Sequence, residues 1–284
     1  MKINILPINL LVIFLSFLAL TACFSLSGFD LLAWTVHTRN AAALALAGLF
    51  THTVLVNFRA VSPFRFIDRA ISYLILFLLF DPLSQWWIFP LLGAVTELCQ
   101  TLMRSTAGPF FNPAGLTGLL FSLTGVVPDW WGVSFAPRIN LITDGMSIVA
   151  PFTLLIAGYV AYRYHKLGIS FSALVTFSLS YRLLFGQIPL FITLEGTLLF
   201  FLLIMVIEPK TSPVANSEQY FYGGLIGLLI SIGIYFGFVE VYLIALFLAN
   251  LFHRRHSLQK FFSSQKNHLK QQTAFFSQDT RSAG

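Results

Sequence analysis

Residues 144–151 read DGMSIVAP, and the order Asp144, Gly145, Ser147 is that of a polar loop able to hold a ligand through short oxygen-bearing side chains and a permissive backbone. The same stretch also reads as a helix start, with Ser147 as the cap and Pro151 in the first turn, where its missing N–H costs nothing. Three carboxylates, Glu97, Glu195 and Glu240, fall within or at the edges of apolar runs. A carboxylate at that depth faces the interior of a bundle and serves ion or proton passage, or else it sits at a polar boundary. Two further stretches break apolar runs with Pro and polar groups. GPFFNPAGLTGLL (108–120) carries Asn112 and Pro113, and EPKTSPVANSEQYFYGG (208–224) carries Glu208, Pro209 and Thr211. His52, between Thr51 and Thr53, is a ligand candidate without a spaced partner, which fits a hydrogen-bonded packing residue better.

The elements that must position these groups follow from composition. With 57% hydrophobic residues, 10% charged and 31 Phe in 284 positions, the chain has more apolar surface than one soluble core of this size hides. The lipid bilayer is its expected surroundings, and the net charge of +6 is read against a membrane rather than nucleic acid. Cys23 and Cys99 lie in apolar stretches without C-x-x-C or Cys/His spacing, so neither a disulfide framework nor a metal site is expected. The run ending Leu20-Thr21-Ala22-Cys23 resembles a lipoprotein cleavage site, but a single Lys before it and the apolar segments after it favour a first transmembrane helix.

A span needs about 20 apolar residues, fewer when tucked inside a bundle. Ten segments qualify, near 5–27, 40–57, 69–81, 86–103, 110–127, 148–164, 169–186, 190–207, 219–238 and 240–252, the third and tenth being short. They divide into five plus five, the arrangement of inverted-repeat membrane proteins with broken helices. The expected fold is therefore all-α, a single polytopic domain over 1–252 in two pseudo-symmetric halves, followed by a basic, disordered cytoplasmic tail over 253–284. With both termini inside, 14 of the 17 Lys and Arg fall on the inner side, leaving Arg39, Arg138 and Arg182 outside. All five Trp (34, 86, 87, 130 and 131) then fall at the outer interface. Gly223, Gly227 and Ser231, spaced by four, predict a close helix contact.

Taken together, FFNPAGLTGLL, DGMS, EGTLLFFLLIMVIEPKTSP, YFYGGLIGLLI and EVYLIALFLANLF resemble the RnfD/NqrB family, membrane subunits of the Rnf and sodium-pumping NADH:quinone reductase complexes. The resemblance covers residues 80–252 and is most specific from 194 onward, where Glu208, Pro209 and Thr211 stand at a D-P-x-T run and Asn250 follows Glu240 by ten positions. It implies a ten-helix bundle in a bacterial inner membrane, other membrane subunits of a redox complex as partners, and electron transport coupled to ion export. It also implies FMN esterified to the Thr of a D-G-x-S-x-A-T stretch, with Asp144, Ser147, Asn112, Glu208 and Thr211 as cofactor-binding candidates. Here Val149 and Ala150 replace the Ala and Thr, and Ala150 has no hydroxyl to esterify, so no covalent FMN is expected and any flavin would be held noncovalently. A channel or carrier for a small solute or ion, with Glu97, Glu195 and Glu240 along its path, is the competing expectation, and a structural anchor for redox partners is the third. Catalysis by the chain alone is not expected, for no Walker motif, dinucleotide fingerprint or Ser/His/Asp arrangement is present.

Overall fold

The computed structural model describes residues 7–27, 30–58, 66–83, 85–105, 108–133, 153–189, 192 and 196–255. Among them are ten helices: α1 (Pro7–Ser27), α2 (Leu31–Phe58), α3 (Phe66–Leu79), α4 (Ile88–Leu102), α5 (Pro113–Leu123), α6 (a π-helical turn Thr153–Ala157 continuing as Gly158–Arg163), α7 (Leu167–Phe185), α8 (Gly196–Phe200 continuing as a π-helical turn Phe201–Met205), α9 (Asn216–Tyr235) and α10 (241–255). The only strands among the described residues are the two-residue antiparallel pair β1 (Arg104–Ser105) and β2 (Gly108–Pro109), which folds the chain back between α4 and α5. The fold is all-α, as expected.

Each expected segment contains a helix, but α2 starts nine residues before the expected 40, and the expected starts at 148 and 190 lie outside the described residues. His37, which precedes the expected segment 40–57, is a buried member of α2. Its start follows Asp30, whose Oδ1 accepts from the Leu32 amide at 2.9 Å, a local turn that frees the chain to begin coiling at Leu31. Nothing between Leu31 and Gly48 breaks a helix, so the polar residues Thr35, His37, Thr38, Arg39 and Asn40 are carried along on it.

Close packing comes from small residues. A Cβ at Gly93 of α4 would collide with the backbone carbonyl of Leu44 on α2, and one at Gly227 of α9 would collide with that of Ala173 on α7. These two helix pairs, α2 with α4 and α7 with α9, are in extensive contact. The second is stitched further by Ser231 Oγ, which meets Ser180 Oγ at 2.7 Å and donates to Phe177 O at 3.2 Å. The stripe of Gly223, Gly227 and Ser231 is thus a packing seam.

Helix ends gather in two groups. At one, Asn40 Nδ2 donates to Pro82 O at 2.6 Å and Trp130 Nε1 to Glu240 Oε2 at 3.2 Å. At the other, Asn112 Nδ2 donates to Met205 O at 3.2 Å and Arg254 Nη2 to Lys210 O at 2.7 Å. Consecutive helices therefore run up and down between two polar ends, around a core that includes Leu76, Phe89, Phe177, Phe200 and Phe201. Among the described residues, two helices are long and apolar enough to cross a membrane, Leu31–Asn57 within α2 and Leu167–Phe185, which is α7.

Candidate functional site

A cluster of buried charges lies in the first half of the chain. Gly48 on α2 and Gly93 on α4 bring the two helices together, and one turn further along the same faces stand His52 and Glu97. Gly48 also clears the volume taken by the Tyr73 hydroxyl, which a Cβ at 48 would overlap. Into this corner the first turns of α3 bring Arg69 and Tyr73. Glu97, fully buried, receives Arg69 Nε and Tyr73 Oη on the same oxygen, Oε1, each at 2.8 Å. Its Oε2 lies 3.4 Å from His52 Nδ1, and Arg69 Nη2 is 2.9 Å from that same ring nitrogen. A guanidinium has only protons to offer, so Nδ1 accepts and the neutral imidazole carries its proton on Nε2. Glu97 is the buried carboxylate that its place in an apolar run predicts, but its counter-ion is built in.

Arg69 was not legible as that counter-ion. By sequence it belongs with the solvated charges at a segment boundary, whereas the structure buries it. Tyr73 gave no signal beyond its aromatic type. Lys166, likewise counted among loop charges, is buried in the turn between α6 and α7, where Nζ donates to the carbonyls of Ser212 and Pro213. Burial, followed by the nearby Arg254 charge, pulls its ammonium down to about 8.

The second cluster sits at the end of the bundle where α5 begins and α8 finishes. Asn112 caps α5 through Oδ1, which accepts from the Gly115 amide at 2.9 Å, and its Nδ2 reaches Met205 O. Glu208, half-buried, accepts from the Thr211 hydroxyl at 3.1 Å, and its own carbonyl accepts from Ser212 Oγ at 2.7 Å. Lys210 forms an ion pair with Asp68 of α3. Burial pushes the Glu208 carboxyl up to about 7, against the opposing pull of Thr211 and Lys210. A cavity of ≈ 260 Å³ is lined here by Asp68, Ser72, Asn112, Tyr164, Glu208 and Lys210 together with apolar side chains. Helix α3 joins the two clusters: Asp68 and Ser72 face this cavity, Arg69 and Tyr73 hold Glu97, and Gln100 of α4 donates to Ser72 Oγ at 3.2 Å.

Of the predicted site residues, Asn112, Glu208 and Thr211 come together, Glu97 lies across α3 from them, and Glu240 is elsewhere. Glu240 stands at the opposite end, in the turn before α10, bonded to Trp130; both residues adopt left-handed backbone (φ 57 each), a conformation non-glycine residues hold only under tertiary constraint. Burial, the largest cause, raises the Glu240 carboxyl to about 7. Asp144, Ser147, Val149, Ala150 and Glu195 lie outside the described residues. Among the described residues, no group of three or more His, Cys, Asp or Glu could hold a metal ion.

Against known proteins, no family model matches the chain and no curated relative is found.

Proposed function

We propose that this chain is an integral membrane subunit of an Rnf/Nqr-like electron-transport assembly, crossing the bilayer ten times as two inverted five-helix halves with both termini inside. The observation that carries the reading is the meeting of two of the segments on which the resemblance rests. FFNPAGL and EPKTSP are far apart in sequence, yet Asn112 bonds the end of α8 and shares one cavity with Glu208 and Lys210. The halves are supported by matching partners. The closest pairs, α2 with α4 and α7 with α9, are the second and fourth helices of each five, and the two described helices that are both long and apolar enough to span by themselves, α2 and α7, are the second of each. Large hydrophobics such as Leu31, Leu155, Phe171 and Leu183 point outward, as a lipid-facing surface requires.

The residues present do not fit a covalent flavin, since Ala150 offers no hydroxyl. The cavity at Asn112 and Glu208, ≈ 260 Å³, is also below the about 300–1,000 Å³ of clefts that bury ligands of cofactor size. The chain's own contribution is then charge handling. Glu208 at the rim and the Glu97–Arg69 pair behind it line a polar route along α3, while partner subunits carry the electrons.

Purification of the intact assembly from its native membrane tests this: flavin or iron-sulfur partners should accompany the chain. A lone, colourless oligomer would count against the reading. A second reading, a carrier for a small solute or ion, is favoured by the size and polarity of the same cavity. Uptake into proteoliposomes without an electron donor would select it.

A further inference from the structure

A polar pocket of ≈ 220 Å³ lies between the turn that joins α6 to α7 and the first turn of α9, apart from the cavity at Asn112 and Glu208. Gly168 stands on its α7 wall, Asn216, Gln219 and Tyr220 on its α9 wall, and Tyr162 of α6 completes it. Gln219 is 3% exposed, and the orientation of its amide is fixed. Its Nε2 donates to the carbonyls of His165 at 3.0 Å and Val214 at 2.9 Å, and an amide oxygen cannot face two carbonyls, so Oε1 is held on the other side. There Oε1 accepts from nothing, and it opens into the pocket instead of being sealed in packing. Gly168 keeps it open, for a Cβ at that position would stand 3.3 Å from Oε1 and 3.5 Å from the Tyr220 ring. An acceptor on so buried a side chain is costly until a donor meets it.

The field in the pocket limits what that donor can be. Helices α7 and α9, 19 and 20 residues long, both begin here, and neither N-cap, Lys166 or Ala215, supplies a side-chain bond. Their first amides, those of Gly168 and Asn216 among them, have no acceptor within the helix, so two positive helix starts act on one space. Glu218, the carboxylate of the α9 first turn, does not line it. An anion is favoured there and an ammonium is not, so the group that donates to Oε1 is a hydroxyl. The volume is below the about 300–1,000 Å³ of clefts for cofactor-sized ligands and equals roughly seven waters at about 30 Å³ each, which is room for a small headgroup.

We infer that this pocket binds a phosphate ester that carries a free hydroxyl, its phosphate at the first turns of α7 and α9 and its hydroxyl donating to Gln219 Oε1. Binding as such does not depend on the membrane reading, but the source of the ligand does. In the proposed topology the pocket lies on the inner side, and the exposed Tyr162 and Tyr220 stand at the depth where tyrosines meet lipid headgroups. The membrane source is then the glycerol headgroup of an anionic phospholipid, and the soluble source is glycerol 3-phosphate.

The test is native mass spectrometry of the full chain in detergent micelles, with phosphatidylglycerol and phosphatidylmethanol of equal acyl chains as competing probes. The two carry the same charge, and only the first has headgroup hydroxyls. Phosphatidylglycerol should be retained roughly three- to tenfold better, the worth of one hydrogen bond. Gly168→Val, which covers Oε1, should erase that preference, and if it does not fold, Gly168→Ala covers the same oxygen with one methyl group. Asn216→Asp places a carboxylate at the start of α9, where a helix favours it, so the fold is kept while the phosphate is repelled and both lipids should bind about tenfold more weakly. Glycerol 3-phosphate, titrated by calorimetry against the same variants, identifies the source. Binding of it that both variants weaken, without a preference between the lipids, keeps the site and makes the ligand soluble. Equal retention of the two lipids with no binding of glycerol 3-phosphate, or binding that neither variant weakens, would overturn the assignment. Alkaline carbonate tests the membrane reading separately: a chain washed off refutes that reading, and the pocket then stands or falls on glycerol 3-phosphate alone.

Discussion

Glu97 is held by two hydrogen bonds to one oxygen, and its value to the fold depends on all its neighbours remaining. Removing one member of a buried pair strands the other charge, which costs about 3–5 kcal/mol, while replacing both by apolar groups is close to neutral. Glu97→Gln should therefore lower thermal stability in detergent by an amount of that order, and Glu97→Gln combined with Arg69→Leu should recover much of the loss. Glu218→Gln, at an exposed position on α9, should stay within about 0.5 kcal/mol of the parent. Glu208 offers a pH test at the same scale. Its folded carboxyl titrates near 7, above the ordinary value of 4.5, so the folded state binds the proton more tightly than the unfolded one. Its contribution to stability is present below about pH 4.5 and is lost as pH rises through about 7. Melting curves across pH 5–8 should show a downward slope with rising pH that is shallower in Glu208→Gln. An unchanged slope would mean that the carboxylate is solvated in the folded protein.

At the scale of elements, two backbone approaches define the packing: α2 meets α4 at Gly93, and α7 meets α9 at Gly223 and Gly227. Gly227→Ala should cost about 1–3 kcal/mol because the new methyl group meets the Ala173 carbonyl and α7 must shift. Gly158→Ala in α6 meets nothing within 4 Å and should be neutral or stabilising by up to about 1 kcal/mol, from helix propensity alone. Thermal unfolding of the two variants side by side checks both, and a loss in Gly158→Ala as large as in Gly227→Ala would remove the argument from close approach. The Gly223/Gly227/Ser231 seam was readable from its spacing of four. Its counterpart at Gly48 and Gly93 was not, because one glycine per helix makes no stripe. The early start of α2 was missed for a related reason. The polar residues from Thr35 to Asn40 look like a loop when read for hydropathy, yet none of them breaks a helix, and Asn40 and His37 find buried partners only once the bundle has formed.

For the whole molecule, the proposed topology makes a directional prediction. Cys23 and Cys99 are buried, so after their replacement by Ala a new cysteine reports its own position. With Gln187→Cys beyond α7, a membrane-impermeant maleimide should label intact cells. Ser217→Cys at the start of α9 should react only after permeabilisation. Labelling of both from the same side would rule out the alternating arrangement implied by the 14 to 3 division of basic residues. What the sequence by itself determined is the all-α class, the number of helices among the described residues and most of their limits, since apolar runs, prolines and charges act over a few residues and need no partner to be felt. It also marked Glu97 as a carboxylate within an apolar run and Asn112, with Pro113, as part of a break in one. Only the tertiary structure decided that Arg69 neutralises Glu97, that Asn112 and Glu208 share a cavity, and that Gln219 turns an unmet oxygen into a pocket between α7 and α9. Those are pairings between helices far apart in the chain. They are set by how closely backbones approach and by which faces turn toward each other, and periodicity within a single helix contains neither quantity.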